Sequence, residues 1–114
     1  MTEKFYTMAF DLNETLSEML GAVKKTVGDN WSMIKETANN FLQDRKDRLE
    51  LLVSLRLNNE INNEFFLKRL QDEKKIFESE LHAVAVISKA IAQKAANAAI
   101  DILEKAVMSA IKIG

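Results

Sequence analysis

The chain has 114 residues, enough for one domain. It has no proline, no cysteine and three glycines, an all-α composition that excludes disulfides, thiol chemistry and cysteine metal sites. Sixteen basic residues against seventeen acidic give a net charge of −1 without a basic block, so no nucleic-acid partner is expected.

Residues 3–27 read as a first helix. Phe5, Ala9, Leu12, Leu16, Met19, Val23 and Val27 recur at spacings of three and four, which puts them on one face for packing against another helix. Phe10 and Leu20 widen that stripe. The segment lacks a basic region followed by an apolar run, so no cleaved signal peptide is expected. A cytoplasmic location is the corresponding expectation, with leaderless export left open.

Gly28-Asp29-Asn30 follows. Glycine suits the end of a helix, and Asp29 or Asn30 can cap the next one. The chain either turns sharply here or continues with a kink. Residues 30–57 form the second helix, with Trp31, Ile34, Ala38, Phe41, Leu42, Leu49, Leu52 and Leu55 on its apolar stripe. Gln43–Arg48 interrupts that stripe with charge.

The stretch 58–62, within Leu57-Asn-Asn-Glu-Ile-Asn-Asn63, is the densest set of turn-forming residues and reads as the tip of a helical hairpin. Asn62 or Asn63 can cap the helix after it. Residues 63–112 then read as one long helix. Pairing across the tip sets Phe41 level with Phe77, and Arg45 and Arg48 level with Asp72 and Glu73, so that two charged interruptions meet.

The expected fold is therefore all-α and a single domain over 1–114. It is either a long antiparallel hairpin, a coiled-coil-like rod of roughly 75 Å at the usual helical rise, or a three-helix bundle with 3–27 folded back. In both arrangements the alanine-rich half of the last helix, 83–111, carries more apolar surface than one chain covers. Exposed apolar surface of that size marks an interaction site. Completion into a larger helical bundle by homo-oligomerisation, with a symmetric dimer as the commonest form, is the expectation. A different helical protein is the other candidate partner. The expected contact residues are Ala83, Ile87, Ile91, Ala95, Ala98, Ile102 and Ala106.

No phosphate loop, nucleophile motif or cofactor fingerprint is present, so neither enzymatic activity nor a cofactor is expected. Glu78 and His82 lie one turn apart, but one histidine without a second ligand pair falls short of a bundle metal site, and none is expected. Lys89, Lys94, Asp101, Glu104 and Lys105 interrupt the apolar C-terminal half, so membrane spanning is not expected. Lying flat on a lipid or other hydrophobic surface remains the alternative. The leading functional expectation is a non-enzymatic helical assembly or adaptor protein acting through the alanine-rich face.

Overall fold

A computed structural model describes residues 10–84 and 86–113. The part of the expected first helix before residue 10, including Phe5 and Ala9, lies outside them. Every regular element among the described residues is helical: α1 (Leu12–Val27), a single 3-10 turn (Gly28–Asn30), α2 (Trp31–Asp44), α3 (Lys46–Leu57), α4 (Asn63–Ala83) and α5 (Lys89–Ile113).

Helix α1 starts where Asp11 Oδ1 accepts a hydrogen bond from the Glu14 amide at 3.1 Å. The capping side chain satisfies an amide that has no partner inside the helix. Leu12, Leu16, Met19, Val23 and Val27 are all buried, as their spacing predicts. The helix ends at Gly28, whose amide donates to the Lys24 carbonyl. Gly28 has φ 59°, a left-handed conformation in which a side chain would be strained. Asn30 precedes α2 but makes no capping bond with its side chain, so the 3-10 turn, and not the expected Asp29 or Asn30 cap, carries the chain into α2.

The expected helix 30–57 is two helices. Arg45, with φ −98° and ψ 0°, separates α2 from α3. The hydrogen-bond ladder runs on across it, from the Arg45 amide to the Phe41 carbonyl and from the Leu49 amide to the Arg45 carbonyl, so the break is a local kink within the charged interruption. The kink changes which residues α3 buries. Leu49 and Val53 enter the core, whereas Leu52 and Leu55, expected on the buried stripe, are only half-buried.

The tip closes α3 in a motif with two backbone bonds. The Asn59 amide donates to the Arg56 carbonyl and the Glu60 amide to the Leu55 carbonyl. Asn59 takes the required left-handed conformation, φ 63°. Asn62 then caps α4, its Oδ1 accepting from the Phe65 amide at 2.8 Å.

The expected single helix 63–112 is also two helices, α4 and α5, separated by residues 84–88. Val84, Val86 and Ile87 are β-branched and lose side-chain freedom in a helix. Ser88 then starts α5, its Oγ accepting from the Ile91 amide at 3.2 Å. A serine there satisfies one of the free amides of a new helix and makes a restart cheaper than continuation.

The molecule measures 44 × 24 × 21 Å, which excludes the extended rod. Helices α1 to α3 laid end to end, or α4 and α5 laid so, would each exceed about 60 Å at the usual rise per residue. The chain therefore reverses at Gly28, at the tip and at residues 84–88. Helix α5 packs along both α1 and α4, and α2 packs on α1 and α4, while α3 makes fewer contacts with α4 and α5. Ala92, Ala95, Ala96, Ala99, Leu103 and Val107 are fully buried in this core. Of the two expected arrangements, the three-helix one left the alanine-rich half projecting; here its inner side is covered by both α1 and α4. The reversal at 84–88 brings it back against α4, and the alanines let α1 approach closely.

Candidate interaction surfaces

The seven residues expected to form one external face are divided by the fold. Ala95 is fully buried and Ile87 nearly so. Ile91, Ala98, Ile102 and Ala106 are half-buried and share one outer strip of α5, and Ala83 is exposed at the end of α4. The outer strip is flanked by the exposed charges Lys94, Asp101 and Lys105.

A second surface lies between α3 and α4. There the two helices frame an open groove of about 770 Å³ whose apolar lining is Leu51, Leu52, Leu55, Phe65 and Ile76. Leu51 is 61% exposed and Phe65 45%. They are the most exposed large apolar side chains among the described residues apart from Met33. Phe65 points outward because its neighbour Phe66, one position on, takes the core side with no exposed surface. Adjacent residues on a helix cannot share a face. The Arg69 guanidinium sits 5.4 Å from the centre of the Phe65 ring, a cation–π arrangement, and lies 3.7 Å from Asp72.

The floor of the groove is held by Glu73, which is 5% exposed. Its Oε2 meets Arg48 Nε at 3.2 Å and Arg45 Nη1 at 3.5 Å. Its Oε1 is buried with no hydrogen-bond partner among the described residues. The two charged interruptions expected to lie level across the hairpin do meet, and they meet at this carboxylate.

The groove was not legible as a site in the sequence. Leu51 lies between Glu50 and Leu52 and looks like part of a general leucine-rich run. Only the adjacent pair Phe65-Phe66 signalled that one large ring must face outward. The chemistry of the groove is apolar contact with a charged rim of both signs, Asp47 and Asp72 against Arg48 and Arg69.

His82 is exposed and Glu78 half-buried. No group of three potential metal-ligating side chains comes together among the described residues. No helix among them is long and apolar enough to cross a membrane. In comparison with known proteins, the chain matches no family model, no curated sequence and no solved structure.

Proposed function

We propose that this protein is a non-enzymatic helical assembly or adaptor protein that works by docking helices onto its outer apolar surfaces. The observation that carries the reading is the α3–α4 groove, where Leu51 and Phe65 remain exposed after the rest of the core has closed. Large apolar side chains gathered in one concave strip with a polar rim are the usual form of a helix-receiving groove. The outer strip of α5, with Ile91, Ala98, Ile102 and Ala106, is the second docking surface. Its small residues allow a partner helix to approach closely, so the alanine-rich helix serves the core with one face and assembly with the other.

The test is site-specific photo-crosslinking in cells, with a photoreactive side chain at Leu51 or at Ile102 and a control at the exposed Ser17. A discrete protein adduct at Leu51 or Ile102 that is absent at Ser17 is the expected result. Leu51→Asp and Ile102→Asp should then weaken capture at their own surfaces at least tenfold. Adducts to lipid alone would overturn the docking role and favour a coat for a lipid or other hydrophobic surface. Absence of any discrete adduct at both positions would overturn it as well.

A further inference from the structure

The outer stripe of α4 is complementary in charge to its own reverse. Phe65, Arg69, Asp72 and Ile76 follow one another at spacings of four, three and four, which places them on one face of the helix. All four line the rim or wall of the groove. Arg69 and Asp72 are half-exposed, at 53% and 56% of their side chains. The order is apolar, cation, anion, apolar, and its centre lies midway between Leu70 and Gln71.

A two-fold axis through that centre and across the helix would set two copies of α4 antiparallel. Each Arg69 then lies opposite the other copy's Asp72, and each Phe65 opposite the other copy's Ile76. Every contact is favourable twice, which is the condition for a closed, isologous interface. A parallel pairing in register would instead set Arg69 on Arg69 and Asp72 on Asp72. Leu51, across the groove, extends the apolar part of the same surface. A net charge of −1 leaves little general repulsion between copies.

We infer that the occupant of this surface is a second copy of the same chain, paired antiparallel through α4. The inference rests on the proposed helix-docking role and names its partner.

The experiment is absolute mass by light scattering after size exclusion, over a range of concentrations, on four forms of the full chain. Wild type should give a dimer, twice the 12.9 kDa of one chain. Arg69→Glu alone and Asp72→Arg alone each place like charges opposite one another twice, and each should give a monomer. The double variant R69E/D72R should restore the dimer. An equimolar mixture of the two single variants should also form a dimer, because each now supplies the charge that the other lacks. Circular dichroism checks that each variant stays helical, which exposed positions should permit.

A wild type that is monomeric at every concentration overturns the inference. So do single variants that keep the dimer, or a double variant that does not regain it. A monomeric wild type that still gives a protein adduct at Leu51 removes only the second copy and leaves the docking role in place. A dimer abolished by Ile102→Asp but untouched by both charge reversals overturns the α4 pairing and assigns association to α5.

Discussion

Phe41 and Phe77 stack face to face, with ring centres 4.3 Å apart and planes 9° from parallel. Arg45 lies 5.4 Å from the centre of the Phe41 ring and reaches Glu73, one turn before Phe77. Apolar and charged contacts thus follow each other along one seam and fix the level at which α2 meets α4.

Phe77 has no exposed surface. Phe77→Ala should cost about 3–5 kcal/mol, from lost transfer energy and the cavity left behind. Loss of the stacking geometry is included in that figure. Chemical denaturation monitored by circular dichroism measures it. A cost under about 1 kcal/mol would mean that the α2–α4 seam does not hold the fold.

Glu73 joins two arginines at the groove floor, so Glu73→Gln tests the charge without changing the shape. The variant should lose about 1–3 kcal/mol of stability, as expected when a buried charged acceptor is removed from its donors. The arginines soften the loss by turning to solvent, since the Arg48 side chain is already 65% exposed. Thermal unfolding at fixed salt reads the effect. An unchanged midpoint would show that the two ion pairs contribute nothing net.

The two described glycines of the first segment should respond in opposite directions. Gly28→Ala places a side chain at φ 59° and should destabilise by about 1 kcal/mol through backbone strain. Gly21 lies inside α1, and a Cβ there meets nothing within 4 Å. Gly21→Ala should stabilise by about 0.5–1 kcal/mol, the usual gain from replacing glycine within a helix. Equal effects in a paired denaturation experiment would contradict the turn at Gly28.

Ser88→Ala removes the side-chain cap of α5 and should cost about 1 kcal/mol. Amide hydrogen exchange should show the loss concentrated at Ile91 and its neighbours. Uniform exchange along α5 would mean that Ser88 does not define the start of the helix.

Much of the fold is legible in the sequence, because its signals are periodic or local. The stripe Leu12-Leu16-Met19-Val23-Val27 is buried as written, and the tip around Asn59 reverses the chain. The Phe41–Phe77 and arginine–Glu73 levels followed from counting across that tip. The breaks at Arg45 and at 84–88 are not legible in the sequence, for different reasons. Arg45 breaks the helix without a breaker residue, at a place where its side chain is drawn across to Glu73, a tertiary effect. The second break did have a local signal, three β-branched residues followed by Ser88, but the absence of glycine and proline made it look continuous. Reading 63–112 as one helix leaves α5 without α4 as a second neighbour, so more of its alanines look like a free surface. The α3–α4 groove is not legible because it depends on how far apart α3 and α4 stand, which no periodicity records.

Three reversals make α1 and α5 antiparallel, so residues 12 and 113 lie toward the same end of the molecule. A pulling force applied at those two points would not shear the α1–α5 seam along its length. It would open the seam from that end, one turn of helix after another, as a zipper opens. The seam that closes most of the core is therefore mechanically soft in that direction. In a single-molecule pulling experiment with handles at those two positions, α1 should peel away at low force, before the stacked rings between α2 and α4 come under load.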